Sequence, residues 1–559
     1  MNWSAIAPGL AQFRGYRRSS LRGDVAAGLT VAAYLVPQVM AYATIAGLSP
    51  VVGLWAALLP LALYAFFGSS RQLSTGPEST TALMTATALA PMAAGDAGRY
   101  AALAATLAVL VGVFCLFGGL IRLGFLSELL SRPVLVGYMT GVAVIMIVSQ
   151  LGKLTGVALH GNGIIDQFRS LAGSIHDLHL PTLMFSAAVL VVLIALARWL
   201  PRYPGPFIAI LLATAVVAIF SLDDKGIRVI GQVPSGLPSF GLTAVPWHDV
   251  ETLAAVAGGV AIVAFSDTVL TARTFAARQR ESIDASAELR ALGLGNLGAG
   301  LSHGFPVSSS ASRTALADLV GGRTQMYSIV TLGFLLIVML TAHGLLAMFP
   351  TAALGALVVF AALRLIDIAE FRRLARFRGS ELILALLTAV AVLGLGVLYG
   401  VLGAVGLSIL DLLRRVARPH DSVQGFVPGL AGMHDIEDYP EARLEPGLLM
   451  YRYDAPLFFA NAEDFRTRAM AAVEDNPDPV QWFVLNSEAN VDVDLTALDA
   501  LDQLRQDLNA RGIVFAMARV KQDLRVMLQA AGLLDKIGED NIYPTLPTAV
   551  DAYRHRRTA

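Results

Sequence analysis

The chain has 559 residues, 55% of them hydrophobic and only 15% charged, with a mean hydropathy of +0.63. Soluble proteins carry about 25% charged residues, so this composition excludes an ordinary soluble globular protein and describes a membrane protein. The net charge of −1 offers no bulk attraction for nucleic acid. The single cysteine, Cys115, excludes an internal disulfide or a cysteine-built metal site and reads as a small packing residue.

The opening, MNWSAIAPGLAQFRGYRRSSLRGD, has no apolar core ahead of its arginines. Residues 1–23 therefore read as an amphipathic lead-in on the membrane surface, not a cleavable signal. A span needs about 20 mostly apolar residues. Candidates lie at 24–43, 51–68, 79–94, 100–121, 133–151, 181–199, 205–221, 252–272, 286–301, 308–320, 327–349, 351–366, 380–398 and 400–413, fourteen in all. Cytoplasmic loops collect Lys and Arg. With Arg14, Arg17, Arg18 and Arg22 inside and the spans alternating, the inner loops receive Arg71, Arg122, Arg198, Arg202, Arg273, Arg278, Arg280, Arg323, Arg372 to Arg378, Arg414 and Arg415. The outer loops hold Arg99 alone in a short one, and Lys153, Arg169, Lys225 and Arg228 in the two longest. This asymmetry predicts fourteen spans with both termini cytoplasmic. Only four of the basic residues are Lys, a bias of GC-rich bacterial coding, so the expected location is a bacterial inner membrane.

The third and tenth candidates share an oddity. The third opens SSRQLSTGPESTTALMTATALA, with Gly76-Pro77 before Glu78, Ser79, Thr80 and Thr81; the tenth opens HGFPVSSSASRTALADLV, with Pro306 before Ser308, Ser309, Ser310 and Ser312. Pro suits a first helical turn and Ser or Thr its cap. Each stretch therefore reads as an extended segment that becomes a helix partway through the membrane. The two are seven apart in a count of fourteen, as an inverted repeat of seven-span halves requires. Two helix starts meeting at the midplane present unpaired N–H groups and partial positive charge to an anion. The serines add hydroxyl donors, and Arg313 adds a full charge that is costly in a membrane unless it has work to do.

The last residues alternate short apolar runs, WFVLNSEA and GIVFAMARV, with the helix-periodic LTALDALDQLRQDLNARG that stops at Gly512. Residues 440–559 are thus expected to form a soluble α/β domain without a phosphate-binding Gly-rich loop, joined through a linker over 417–439. No nucleophile–base pair or metal cluster stands out in it, so neither an enzyme nor a cofactor is expected.

These residues carry a family resemblance. DVAAGLTVAAYLVPQVMAYATIAGLSPVVGLWAALLP (24–60), STGPEST, SRPVLVGYMTG, AELRALGLGNLGAGL and PVSSSASRTAL resemble, in order, the motifs of the sulfate permease (SulP) family of anion transporters. YRYDAPLFFANAEDF and VDLTALDALDQL resemble its cytoplasmic STAS domain. The likeness covers essentially the whole chain and is strongest to the actinobacterial, mycobacterial-type sulfate transporters. It implies a homodimer of seven-plus-seven inverted-repeat units with core and gate domains. It also implies a substrate held by Gln38 and Tyr42 on the first span, Ser79 and Thr80 on the third, and Ser310, Ala311, Ser312 and Arg313 on the tenth. Asp267 and Thr271 on the eighth flank it. The chain departs from the family pattern at Ala311, where an aromatic residue is common, at Ser309, where Gly is common, and at Glu78, where the position is often uncharged.

Within AFSDTVLTAR, Asp267 and Thr271 are four apart and share one helix face. A carboxylate there suits proton uptake; with the hydroxyl one turn away, Na⁺ ligation through oxygen is the alternative, and a structural pairing of Asp267 with Arg313 is a third. Glu78 is a second candidate coupling site, its bland role being a carboxylate at a helix N-terminus. His303 is expected at an interface or cap, and Glu288 and Asn296 as bridges between helices. In STAS relatives the Asp-x-Ser/Thr stretch carries a phosphorylation site; here it is Asp494-Leu495-Thr496, where a helix cap is the alternative. The function expected is secondary active uptake of inorganic anions, sulfate first, by proton symport. Na⁺-coupled bicarbonate or dicarboxylate transport, and an anion exchanger or channel, are the alternatives.

Overall fold

The structure, a computed structural model, describes residues 7–14, 16–93, 95–124, 131–157, 159, 164–201, 203–232, 236–242 and 244–558. Arg202 and the first six residues of the expected lead-in lie outside them. The chain divides into two units, Met1–Ser408 and Ile409–Ala559.

Every expected span has its helix: Leu21–Ile45, Pro50–Phe67, Ser79–Leu89, Ala97–Leu120, Arg132–Thr155, Leu180–Trp199, Gly205–Phe220, Trp247–Gln279, Ala285–Leu301, Ala311–Val320, Met326–Thr341, Thr351–Leu363, Gly379–Leu395 and Val397–Ala417, here spans 1 to 14. Seven stretches among the described residues are long and apolar enough to cross a bilayer by themselves. Spans 3 and 10 are not: at 11 and 10 residues they rise only about 16 Å, half the hydrocarbon thickness. Span 11 stops at Thr341, and after Ala342 a separate short helix, His343–Ala347, completes the expected 327–349 stretch.

The helices sort into two bodies. Span 9 lies against spans 2 and 4, span 11 against span 1, and span 8 against span 4; span 5 packs on spans 12 and 13, and span 6 on span 12. Span 9 owes its place to its glycines. A Cβ on Gly293 would stand 2.8 Å from the Leu116 backbone N and 2.9 Å from the Gly112 O. Spans 4 and 9 therefore cross backbone to backbone, as small residues allow in a membrane where no hydrophobic effect drives helices together. Cys115 is buried beside that crossing, as its packing role requires. Of the lead-in, the helix Pro8–Arg14 is docked on span 2: Gly9 faces the Ala65 and Phe66 backbone, and the Phe13 and Phe66 rings are 5.7 Å apart.

The second unit is a six-stranded sheet. Thr75–Gly76 and Ser308–Ser309 in the first unit are β1 and β2; the second unit holds β3 (Asp421–Phe426), β4 (Met433–Asp435), β5 (Leu448–Tyr453), β6 (Trp482–Asn486), β7 (Val514–Ala518) and β8 (Ile542–Tyr543), ordered β4-β3-β5-β6-β7-β8. Strands β5 to β8 are parallel, while β3 is antiparallel to both its neighbours. Alternation along β5 sends Leu449 and Tyr451 to one buried face with Phe483 and Phe515, and Leu448 and Met450 to the other, under the helix Leu546–Thr558. The stretch expected as a linker, 417–439, holds two of these strands. Both β3 and β4 fall inside it: Asp421 to Gln424 pair with β5, and Gln424 to Phe426 with β4, through main-chain pairing that this largely polar stretch does not advertise.

Candidate functional site

The extended segments before spans 3 and 10 meet. Thr75 pairs with Ser309 and Gly76 with Ser308, antiparallel, and the Ser310 N–H donates to the Ser74 O at 2.9 Å. This two-rung pairing satisfies backbone groups that lipid could not and brings two helix N-termini together. Asn296 on span 9 clamps the approach: its Oδ1 accepts from the Val307 N at 2.9 Å, and its Nδ2 donates to the Val307 O at 3.0 Å. Glu288, a turn or two earlier, accepts from the Tyr64 hydroxyl at 2.7 Å, the Ser69 N at 2.8 Å, the Ser69 hydroxyl at 2.6 Å and the Ser70 N at 3.0 Å. The two bridge elements as expected, on either side of the pairing. His303 takes a positive φ of 54° in the turn after span 9.

Each short helix is capped by its own side chain. Glu78 caps span 3, accepting from the Thr80 N at 2.7 Å and from the Ser79 hydroxyl at 2.5 Å. Ser310 caps span 10 and lies 3.2 Å from the Ser312 hydroxyl. Ala311 is exposed at that helix start, so the position carries no bulk into the space beside it.

Arg313 ties three segments together. Its side chain is fully buried; Nε donates to the Ser74 hydroxyl at 3.2 Å, and Nη1 donates to the Gln38 Oε1 at 3.0 Å and the Pro77 O at 3.1 Å. The Gln38 amide in turn donates to the Tyr42 hydroxyl at 2.9 Å. Nη2 has no partner. It points along the β1 segment, where a Cβ on Gly76 would lie 3.4 Å from it. Asp267 does not pair with Arg313: its partner is the Ser309 hydroxyl at 3.4 Å, and no ion pair joins the two among the described residues. Thr271 is buried one turn further along span 8. Ser309, the residue found where the family commonly has Gly, is thus the group that holds Asp267.

Three participants escaped the sequence reading. Ser74 and the Pro77 carbonyl hold the guanidinium; Ser74 stood in the STGPEST motif, but no spacing rule links it to a residue 239 positions away. Tyr138 on span 5 is 2% exposed; its hydroxyl lies beside the Thr80 side chain and within electrostatic reach of Glu78 and Asp267. A cavity of about 130 Å³ bounded by Tyr34, Leu193, Pro206, Phe360 and Arg364 reaches Ser312.

In the second unit Asp494 caps the helix Leu495–Ala510, accepting from the Ala497 N at 2.8 Å. Thr496 is exposed in the first turn and is not the cap.

Residues 21–388 match the sulfate permease family and residues 439–549 the STAS domain. The chain belongs to the sulfate permease family. A probable sulfate transporter of Mycobacterium tuberculosis is 67% identical over 556 residues, covering 100% of this chain and 99% of the relative. A probable sulfate transporter 4.2 of Arabidopsis thaliana is 30% identical, over 99% of this chain and 84% of its own. Among solved structures, the murine Slc26a9 anion transporter in an inward-facing state superposes with a TM-score of 0.90 at 22% identity, over 98% of this chain and 94% of that one. The transmembrane domain of the cyanobacterial bicarbonate transporter BicA does so with a TM-score of 0.62 at 24% identity, over 70% and 99%. The fold is therefore the seven-plus-seven inverted repeat of core and gate bodies followed by a STAS domain. The protein is a multi-pass membrane transporter of anions, not an enzyme.

Proposed function

We propose that this permease takes up inorganic anions, sulfate first among them, by proton symport across a bacterial inner membrane. Both termini are cytoplasmic and the working unit is a homodimer. The observation that carries the substrate site is the Arg313 guanidinium. It is locked by Ser74, Gln38 and Pro77, yet one buried nitrogen is left without an acceptor beside two converging helix starts. An anion is the group that completes this set: it accepts from Nη2, from the Ser310 and Ser312 hydroxyls and from the first-turn N–H groups, where the helix dipole favours negative charge. Gln38 and Tyr42 orient the arginine, the Ser79 N–H and the Thr80 hydroxyl offer donors from the facing helix, and Ala311 leaves room for a tetrahedral oxyanion. Relatives named as sulfate transporters support the choice of anion.

The coupling cation is assigned to Asp267. Glu78 is the weaker candidate because its carboxylate already accepts two short hydrogen bonds as the cap of span 3. A proton on Asp267 cancels a negative charge next to the anion, so anion and proton enter together; the only side-chain hydrogen bond it touches among the described residues is the long one from Ser309. With the topology read from the arginines, the cavity that reaches Ser312 opens to the cytoplasm, and rocking of the core body against the gate body closes it.

The test is uptake by proteoliposomes of labelled sulfate, bicarbonate and succinate under imposed H⁺ or Na⁺ gradients. Sulfate is expected to accumulate above equilibrium when the outside is acidic, with no response to Na⁺. Accumulation of bicarbonate driven by Na⁺ would replace the reading, with Asp267 and Thr271 as the sodium ligands. Flux that only ever equilibrates would make the protein an exchanger or channel.

A further inference from the structure

Lys153 ends span 5 and Arg228 lies in the long loop before span 8, 75 positions further on, yet both line one cavity of about 550 Å³ together with Gln167, Asp177, His179 and Thr351. The topology puts this cavity on the outer face, where basic residues are otherwise sparse. The Lys153 ammonium and the Arg228 backbone are held in place. The Lys153 Nζ donates to the Thr44 hydroxyl at 2.8 Å, and the Arg228 carbonyl accepts from the Thr351 N at 2.9 Å and its hydroxyl at 3.1 Å. His179 is fixed by Thr182 at 2.6 Å on one ring edge and by Gly226 on the other, where a Cβ would stand 3.2 Å from Nε2. Neither Lys153 nor Arg228 has a carboxylate in ion-pair contact among the described residues, and the single acid of the lining, Asp177, leaves a positive balance.

We propose that this cavity is an outer recruiting site for a small inorganic oxyanion, separate from the Arg313 site and visited before it. Two cations, neither in ion-pair contact with a carboxylate among the described residues, lie in a concavity walled by helix ends, where they concentrate a doubly charged anion and raise its rate of arrival. The Lys153–Thr44 bond adds a link inward, because Thr44 lies in the last turn of span 1, the helix that carries Gln38 and Tyr42. The outer placement rests on the topology of the proposed function; the charge and the cavity do not.

Two measurements on the full-length protein test it. In the first, the Gln167→Cys variant is labelled with a negatively charged thiol reagent, and sulfate is added as competitor. Sulfate is expected to slow labelling several-fold, Arg228→Gln to abolish that protection and Arg228→Lys to keep it. In the second, Arg228→Gln is expected to raise the KM for outside sulfate about fivefold, flatten its dependence on ionic strength and hold the maximal rate within twofold, with efflux unaltered. Protection that survives Arg228→Gln, or a KM that rises equally in both directions, overturns the proposal. Protection seen only in vesicles free of anionic phosphatidylglycerol would make a lipid headgroup the occupant and overturn it as well. If sulfate protects the Gln167→Cys variant through Arg228 but is never transported, the proposed function fails and the outer site stands.

Discussion

Arg313 holds three bonds to protein and keeps one nitrogen free, and that combination separates a binding residue from a structural one. A purely structural arginine would spend its donors on a carboxylate. Asp267, the acid that a sequence pattern offers it, bonds Ser309 instead. The prediction at Asp267 is therefore sharp. Asp267→Asn breaks no ion pair to Arg313 among the described residues, so the fold and sulfate binding should survive with a melting temperature near that of the native protein, while accumulation driven by a pH gradient should disappear. Glu78→Gln should cost about 1 kcal/mol through its weakened cap and keep the coupling. If Asp267→Asn still concentrates sulfate under a pH gradient, or if Glu78→Gln is the variant that stops, the assignment moves to Glu78. Arg313 itself was legible in the sequence, because a cation among serines inside an apolar run has few innocent explanations. Its partners were not: Ser74 and Gln38 become neighbours only after two chain halves fold together.

At the scale of elements, periodicity located the spans well because lipid demands long apolar stretches and Gly-Pro or Pro-Ser clusters mark where helices begin. It failed where hydrogen bonding decides. Nothing in the composition announced the break of span 11 at Ala342, nor that 417–439 would be drawn into a sheet. Packing was not legible: nothing in GLGNLGAG names the helix that approaches its glycines. The structure names it, so Gly293→Ala makes a test. The added methyl meets the Leu116 backbone N at 2.8 Å and the Gly112 O at 2.9 Å, atoms that cannot rotate away. A loss of about 1–3 kcal/mol is expected from such overpacking, read as an earlier thermal transition in detergent. Gly333, where an added Cβ meets nothing within 4 Å, is the control: Gly333→Ala should leave the transition in place. Equal behaviour of the two variants would mean that spans 4 and 9 do not cross backbone to backbone.

For the whole molecule, the division at Ser408 and Ile409 separates two kinds of folding problem. One buries polar groups from lipid, and the other buries apolar groups from water. The sequence showed the shift in composition but not that β3 and β4 lie ahead of residue 440, and this decides how a truncation must be cut. We assign dimer contact and regulation to the STAS domain and anion binding to the first unit alone. A chain ending at residue 439 would keep β3 and β4 but lose β5, leaving Asp421 to Gln424 without the strand that satisfies their backbone groups. An open edge of this kind invites aggregation. A chain ending at Ala417 removes the sheet as a unit and leaves Arg313, Ser74, Gln38 and Asp267 with every partner they have. The shorter chain should therefore be the better behaved, monodisperse in detergent and binding sulfate within about threefold of the full-length protein, a difference under about 1 kcal/mol. Its transport rate or its dimer fraction should fall. Loss of sulfate binding in a monodisperse protein ending at Ala417, measured by equilibrium binding, would show that the STAS domain takes part in building the anion site.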